Sequence, residues 1–401
     1  MKHIFSHIKN TSVIAIIAII LLAIIIAAPG CSTDKNPDDD ITKGLNTYAS
    51  EDTSYIVKLA DYHDFTITKD VSVSAAEIND SYLSHVSELA SRNDMTVDPP
   101  VFDPIFEKLC SIVPAGKTAE TGDFIVFDYS GSIDGEPLTG GKASYQLNWL
   151  GSGHFIPGFE ESIVGHAAGT TFPITVTFPS SYPQNTDLEN KEAVFDITIR
   201  YILPGITDEA VNVLLEYEKT NFDETKLDES AVFSPSYKNA TEYIGYTKNS
   251  LKSSKESSFE QNIDGHIMEY LYKNSEFGTV PESLIKSFKD SVESAAAMYG
   301  ITVETYLYYA YGGVSMGAQY DELARFQVCT RGIFSKIIQN EKMTISQAEF
   351  EEKGARIAEN YDYESIDELV ANAGKENVLN SILIDKVMTL LKENVKYQVI
   401  E

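Results

Sequence analysis

Cysteine is scarce in this chain. Only Cys31, Cys110 and Cys329 occur among 401 residues, and the last two lie in different segments. This spacing excludes the disulfide framework that staples small secreted domains, so Cys110 and Cys329 are expected to be buried free thiols. No Cys/His spacing of the kind that binds zinc is present. The sequence therefore predicts no metal and no other cofactor.

Basic residues are also few. The chain has 31 Lys and Arg against 60 Asp and Glu, which gives a formal net charge of -29. So acidic a surface repels the phosphates of DNA and RNA, and nucleic acid is excluded as a partner. The same charge keeps the chain soluble, which suits a protein that handles apolar partners but is equally expected of any member of an acidic secreted proteome.

Acidic residues are missing from the first part of the chain. Lys2 and Lys9 precede an unbroken apolar run from 13 to 28, and Ala28-Pro29-Gly30-Cys31 closes it. A basic start, an apolar run and small residues are the layout of a secretory signal. With Cys31 at its end, the segment resembles a bacterial lipoprotein signal, although Ala28 stands where leucine is usual.

This resemblance implies that residues 1–30 are removed and that Cys31 carries a lipid. The protein would then be extracytoplasmic and lipid-anchored to the bacterial cell membrane. An uncleaved transmembrane anchor stays open as the alternative, because sixteen apolar residues fall just short of the roughly 17–25 that span a bilayer. Residues 31–54 are polar and acidic, which predicts a flexible tether.

The rest of the chain changes character twice. Residues 55–117 combine short β-like stretches with a helix that Ser74 and Glu77 open as a capping box. From there to residue 203, apolar and polar residues alternate in short runs, and glycines and prolines separate these runs. This pattern predicts a compact β-rich domain. Residues 206–401 are helical in pattern. The helices expected there are 208–220, 242–274, 281–299 and 376 to about 396, with further capping boxes at Ser346/Glu349 and Ser365/Glu368.

One motif in the β-rich domain carries most of the information. Residues 150–160 read Leu-Gly-Ser-Gly-His-Phe-Ile-Pro-Gly-Phe-Glu, a strand end, a glycine turn and a short apolar segment. Before it come 122–131 with Asp134-Gly135 and Gly140-Gly141, and after it come 176–179 and 194–197. In order and spacing these fragments resemble the FK506-binding (FKBP) type of peptidyl-prolyl isomerase, in the version of the trigger factor branch.

That resemblance implies an enzyme that isomerises X-Pro peptide bonds. Rotation about a peptide bond faces a barrier of roughly 18–20 kcal/mol, and X-Pro exchange takes tens to hundreds of seconds. The twisted transition state has lost resonance and is less dipolar, so an apolar, water-excluding pocket favours it over the planar state. No nucleophile, general base or metal is needed.

The resemblance also assigns the pocket residues. It gives catalytic positions to Tyr129, Phe155, Ile156, Phe159 and Phe195, and substrate-binding positions to Leu138, Tyr145, Tyr182 and Leu188. The chain from Tyr145 to Gly151 is one residue longer than usual, so a bulge could put Gln146 in the place of Tyr145. Leu138 and Thr139 depart from the family pattern of an aromatic followed by Asp. A non-catalytic chaperone or binding lipoprotein that retains the FKBP fold is therefore the alternative.

The helical remainder resembles the C-terminal chaperone domain of trigger factor, most clearly at 280–285 and 299–307. The likeness implies unfolded or nascent exported polypeptides with X-Pro bonds as partners. No counterpart of the family's ribosome-binding domain is found, so no ribosome contact is expected. The aromatic cluster 306–311 is a client-binding patch if exposed and helix packing if buried, and the oligomeric state stays open.

Together these inferences predict an α+β fold. An FKBP-like antiparallel β-sheet wraps on a short helix, and an all-α domain like the trigger factor C-terminus follows. The expected divisions are a signal peptide (1–30), a tether (31–54), a segment leading into the isomerase domain (55–117), the isomerase domain (118–203) and the helical chaperone-like domain (206–401).

Overall fold

The computed structural model describes residues 40–42, 48–91, 104–182, 184–221, 236–310 and 319–401. It divides the chain into two compact units. One, the sheet unit, comprises Val71–Lys255 with Glu401, and the other, the helical unit, comprises the described part of Met1–Asp70 with Glu256–Ile400. The predicted segment 55–117 is thus split, because its first strands pack in the helical unit. The signal, Cys31 and residues 31–39 and 43–47 of the predicted tether lie outside the described residues. The described part of the tether is not a free linker, because Ile41 and Tyr48 are buried in the core of the helical unit.

The sheet unit is built on a four-stranded antiparallel sheet of order β4-β3-β6-β5. The strands are β3 Phe124–Ile133, β4 Glu136–Trp149, β5 Thr171–Thr177 and β6 Glu192–Leu203. Asp134 and Gly135 join β3 to β4 in a two-residue turn with positive φ at both positions (51° and 83°). Asp-Gly is the sequence that such a hairpin turn favours, and it sets the register of the two strands.

Helices cover one face of this sheet. They are α1 Ala75–Ser91, α2 Pro104–Ser111, α3 Asp208–Asn221 and the first part of α4 Ala240–Gln261. Phe124 and Val126 of β3 point into the apolar cluster that these helices form with the sheet. The capping box of α1 is present, since Ser74 Oγ accepts from the Glu77 amide and the Ser74 amide donates to Glu77 Oε2. The opposite face carries the site described below.

The helical unit is organised around helix α8, Tyr320–Asn340, which has Ile333, Phe334 and Ile337 in its core-facing row. The other helices in the described part of this unit are α5 Ile263–Asn274, α6 Glu282–Met298, α7 Val303–Ala310, α9 Gln347–Asn360, α10 Ile366–Ala373 and α11 Lys375–Asn394. The predicted caps of α9 and α10 are confirmed, because Ser346 and Ser365 each accept a bond from the amide three residues later.

Two short sheets complete the helical unit. Strand β1, Ile56–Lys58, pairs antiparallel with β7, Glu276–Phe277, and β2, Phe65–Asp70, pairs parallel with β8, Val395–Ile400. The predicted final helix is therefore too long, since Val395 and Lys396 already belong to β8. The predicted helix 242–274 is two helices, α4 and α5, which meet at Asn262.

Cys110 and Cys329 are both free thiols, as expected. Cys329 is buried in the core of the helical unit, and Cys110 is half-buried beneath the sheet, where its Sγ lies 3.6 Å from the Ile202 carbonyl oxygen. Burial raises the pKa of each thiol to about 11. Both thiols are therefore protonated and unreactive at neutral pH.

Gly332 lets a tyrosine approach helix α8. A Cβ at this position would meet the Tyr55 ring, 2.8 Å from Cζ, and the Tyr55 hydroxyl donates to the Val328 carbonyl at 3.0 Å. We expect Gly332→Ala to lower the free energy of unfolding by about 1–3 kcal/mol through overpacking. Urea denaturation followed by circular dichroism measures it.

Gly354→Ala in helix α9 is the matched control, because its Cβ would lie 3.5 Å from Ile366, an ordinary contact. Alanine should raise helix stability there by about 0.5–1 kcal/mol. Equal effects of the two substitutions would contradict the close approach of Tyr55.

Candidate functional site

A cavity of about 550 Å³ opens on the face of the sheet away from helices α1 to α4. None of the residues around it is Asp, Glu, Lys or Arg. A substrate in it therefore meets rings, aliphatic side chains, glycines and neutral polar groups. The lining residues are Tyr129, Leu138, Thr139, Gly140, Gly141, Gly153, His154, Phe155, Ile156, Pro157, Phe159, Phe178, Pro179, Ser181, Tyr182, Gln184, Leu188 and Phe195.

Four aromatic rings converge on the floor and walls of the cavity. Phe159 is 1% exposed and forms the floor. The Phe155 ring stacks on it at 4.5 Å between centroids, and Phe195 and Tyr129 meet it edge-on at 5.3 and 5.9 Å. Offset-stacked and edge-to-face pairs at such distances are the favourable arrangements for aromatic rings, so the four rings brace one another.

Tyr129 brings the one hydroxyl of this ring cluster. It lies on β3 and meets Phe155 and Phe195 edge-on at 5.8 and 6.1 Å. Burial, and to a smaller extent the neighbouring Tyr182, raise the pKa of Tyr129. Its hydroxyl is therefore a neutral hydrogen-bond donor at physiological pH.

The segment under the sheet is a succession of turns rather than a regular helix. Between Pro157 and Gly165 the backbone makes the bonds Phe159 N to Ile156 O, Ser162 N to Gly158 O and Ile163 N to Glu160 O. Gly158 (φ 88°) and Gly165 (φ 90°) interrupt any helical run at both ends. The expected short helix is present only as this tightly turned segment, which still carries Phe159.

The glycine turn before Phe155 is held by one buried carboxylate. Glu160 Oε2 accepts from the amides of Gly151 at 2.7 Å and Gly153 at 3.3 Å. Its Oε1 accepts from Ser152 Oγ at 2.7 Å, the His154 amide at 3.1 Å and Asn148 Nδ2 at 3.2 Å. Residue patterns did not single out Glu160. The signal available was an acidic residue inside an otherwise apolar and glycine-rich motif.

A second set of contacts ties the turn to helix α1. His154 Nδ1 lies 3.0 Å from Asn148 Oδ1, and its Nε2 lies 3.7 Å from Asp80 Oδ1. The same Asp80 oxygen accepts from Trp149 Nε1 at 2.7 Å. His154, at the cavity mouth, is thus linked to a helix on the far side of the sheet edge.

The flap over the cavity carries Tyr182 and Leu188, as predicted. The Tyr182 ring meets Phe178 edge-on at 5.1 Å, and its amide donates to Glu189 Oε1 at 3.0 Å. Leu188 ends a short 3-10 turn, Thr186–Leu188, that Asn185 caps through the Asp187 amide. Ser181 and Gln184 of the same flap line the cavity and were missed, because isolated polar residues in a loop carry no sequence signal.

Tyr145 does not line the cavity, so its predicted place in the pocket is wrong. Phe127 pairs with Gln146 and Tyr129 with Ala143, which leaves an extra residue in β4. Tyr145 sits in this bulge with φ at 56°. Its amide donates to Asp128 Oδ1 at 2.9 Å, and its ring packs on the helical face of the sheet beneath Arg200 at 4.8 Å. Gln146 is not among the lining residues either.

The other predicted residues come together. Tyr129, Leu138, Phe155, Ile156, Phe159, Tyr182, Leu188 and Phe195 all line the cavity. Thr139, which departs from the family pattern, lines it as well. Phe127 lies one layer below, 5.7 Å from Phe155 and 6.2 Å from Phe159 between ring centroids. Their catalytic and binding roles stay predictions.

Comparison with known families agrees with this geometry. The family described as FKBP-type peptidyl-prolyl cis-trans isomerase matches residues 116–200, and the family described as bacterial trigger factor protein C-terminus matches residues 241–393. The trigger factor of Ligilactobacillus salivarius (strain UCC118) is 30% identical over 295 residues, which cover 71% of this chain and 63% of that protein. The chain is trigger factor-like.

A second curated protein and one solved structure are also similar to parts of this chain. The trigger factor of Onion yellows phytoplasma (strain OY-M) is 27% identical over 281 residues, 68% of this chain and 60% of that protein. A solved structure described as "Promiscuous Substrate Recognition in Folding and Assembly Activities of the Trigger Factor Chaperone" is 15% identical, with a TM-score of 0.29, covering 84% of this chain and 72% of that one. The trigger factor-like chain thus spans less than two thirds of the length of either curated relative.

Within the described residues, no three His, Cys, Asp or Glu side chains come together as a metal site. Nor does that part of the chain contain a helix of the length and apolarity that crossing a bilayer requires.

Gly131 allows Phe195 to close the cavity. A Cβ at Gly131 would press on the Phe195 ring, 2.8 Å from Cδ1. We expect Gly131→Ala to displace that ring, to lower the stability of the sheet unit by about 1–3 kcal/mol, and to weaken binding of a proline-containing peptide. Trp149, the single tryptophan of the chain, reports the unfolding of this unit by fluorescence, and calorimetric titration measures the binding.

Gly205→Ala serves as the control, because a Cβ at Gly205 would have no atom within 4 Å and the φ of this residue is not left-handed. Unchanged peptide affinity in Gly131→Ala would contradict the role given to Phe195.

Proposed function

We propose that this chain is a protein-folding factor of the extracytoplasmic space, which isomerises X-Pro peptide bonds and binds unfolded exported polypeptides. The convergence of Tyr129, Phe155, Phe159 and Phe195 on one open, uncharged cavity carries the isomerase part. The matches to the isomerase and trigger factor families support it.

The reaction follows from the lining. A planar X-Pro amide is resonance-stabilised and dipolar, whereas the twisted amide is not. Compared with water, aromatic rings and aliphatic walls favour the twisted amide over the planar amide. This difference lowers the barrier to rotation. In this proposal the lining residues hold the proline against Phe159 and exclude water, and the Ile156 amide donates to the substrate carbonyl oxygen.

The enzyme claim is tested on the full chain with a short X-Pro peptide of which only the trans isomer is cut by an added protease. The double variant Phe155→Ala, Phe159→Ala removes the stacked pair of rings and the edge contacts that Phe195 and Tyr129 make with it. Each such aromatic pair is worth about 0.5–1.5 kcal/mol. We expect kcat/KM to fall at least roughly tenfold. Tyr361→Ala, an exposed ring of the helical unit, should leave it unchanged. Equal activity of the double variant and the wild type would remove the claim.

A second candidate function is a non-catalytic binding module. The observation that favours it is the position of Leu138 and Thr139 in the cavity lining, where the family pattern has an aromatic and Asp. Suppression of client aggregation by a wild-type chain that shows no isomerase activity would favour this alternative.

The chaperone part has a candidate surface at the C-terminal ends of α6 and α7. Tyr306 and Leu307 are buried, whereas Tyr308 is 44% and Tyr309 is 72% exposed. Met298 and Tyr299, at the end of α6, are exposed as well. Exposed apolar side chains so close in sequence are typical of a surface that binds other chains. Tyr311, the last member of the predicted cluster, lies outside the described residues.

Membrane attachment through Cys31 is also a proposal, supported by the signal-like start of the sequence. In a bacterium fed a labelled fatty acid, we expect label on the wild-type chain and on Cys110→Ser but none on Cys31→Ser, because a thioether-linked lipid needs that thiol. The measurement is label per chain after purification. Membrane retention of an unlabelled wild-type chain would instead indicate an uncleaved apolar anchor.

A further inference from the structure

The turn from Gly151 to His154 has few backbone bonds of its own. Gly151 and Gly153 have φ of 99° and 73°, values that favour glycine. The amides of Gly151, Gly153 and His154 donate to Glu160 instead of to other backbone groups. Because this turn leads directly into Phe155 and Ile156, whatever holds its amides also sets the position of two cavity residues.

Glu160 holds them with both carboxylate oxygens. Glu160 is 5% exposed and Asn148 is 2% exposed, so the contacts form away from water. The partners at Glu160 are three amides, the Ser152 hydroxyl and the Asn148 amide group, and all of them can donate. An ionised carboxylate is an acceptor on both oxygens, whereas a protonated acid or an amide side chain would set a donor against these donors.

We propose that Glu160 is a positioning residue of the site. Its ionised carboxylate fixes the turn 151–154, and the turn in turn holds the Phe155 ring over Phe159 and keeps the Ile156 amide facing the cavity. No hydrogen bond of the Ile156 amide is seen within the described residues, which leaves this N–H for a substrate carbonyl. The proposal rests on the proposed isomerase function.

The ionisation of Glu160 gives the proposal a pH signature. Burial raises the pKa of Glu160, but the bonds from Ser152, Gly151, Gly153 and Asn148 together outweigh it, and the net pKa is lowered. A lowered pKa means that the carboxylate's stabilisation is present at neutral pH and is lost as the pH falls through that value, below the ordinary glutamate pKa of about 4.3.

Other ionisable side chains near the turn are His154, Asp80 and Glu161. His154 lies on the turn, with Asp80 of α1 3.7 Å from its Nε2. Glu161, the next residue, is turned outward and accepts from the Gly158 amide at 3.0 Å. It is the matched carboxylate outside the turn.

The test compares Glu160→Gln, Glu160→Asp and Glu161→Gln with the wild type in the full chain. Isomerisation of a proline peptide is followed by NMR exchange, which needs no coupling protease at acid pH. The temperature is one at which Trp149 fluorescence shows every variant to be folded. Exchange of the amide hydrogens of Gly151, Gly153 and His154 is measured on the same samples.

We expect Glu160→Gln to lower kcat roughly tenfold to a hundredfold, because misplaced reacting groups cost rates of that size. KM should change less. The variant's three amides should exchange faster than in the wild type. Its activity should also lack the fall that the wild type shows as the pH drops below the ordinary glutamate pKa of about 4.3. Glu160→Asp should recover part of the rate, and Glu161→Gln should match the wild type.

Wild-type kcat in Glu160→Gln would overturn the proposal, and so would an equal loss in Glu161→Gln or unchanged protection of the three amides. A wild-type chain that does not accelerate isomerisation defeats the proposed function instead. Amide exchange then still decides whether Glu160 holds the turn, since slow exchange in Glu160→Gln would overturn that claim by itself.

Discussion

The sheet unit depends on one strand that is buried on both faces. In β3, Phe124 and Val126 pack against the helices of one cluster, while Ile125 and Phe127 pack beneath the cavity on the other side. Successive side chains of a strand point to opposite faces, so four consecutive apolar residues serve two cores. Tyr129, two residues beyond Phe127, reaches the cavity only because this register is kept. A shift by one residue would place the helical core's side chains in the pocket.

Two networks of hydrogen bonds, one at Asp128 and one at Glu160, hold the segments that surround the cavity. Asp128, between Phe127 and Tyr129, binds the Tyr145 amide and Arg200, and so anchors the bulge in β4 on the helical face. Glu160 accepts from the amides of Gly151, Gly153 and His154 in the glycine turn. The carboxylates stay outside the cavity lining in both cases. The cavity lining therefore contains no Asp, Glu, Lys or Arg, although charged side chains hold its walls in place.

Much of the fold and of the candidate site could be predicted from the sequence where a local residue pattern allows one structure only. The predicted helix caps are present at Ser74, Ser346 and Ser365. In almost any context, a serine hydroxyl oxygen at the start of a helix can accept a hydrogen bond from the free amide three residues later. Most aromatic residues that the motif assigned to the cavity also line it together in the structure. The errors arose where long-range pairing decides. Residues 395–396 continue a helical pattern, yet they join β8 because β2 offers a parallel partner. Tyr145 looked like a pocket residue, but the bulge turned it to the other face.

By itself the sequence determined the acidic charge, the order of the β-rich and helical parts, the Asp-Gly hairpin and the ring-rich motif from 150 to 160. These depend on residue type and near neighbours, which do not change on folding. Only the tertiary structure decided that residues 55–70 pack with the C-terminal helices, that Tyr145 leaves the pocket and that Glu160 receives five donors. Each of these contacts depends on the register of a pair of strands or on the geometry of a turn. A shift of one residue in either would bring different side chains into contact.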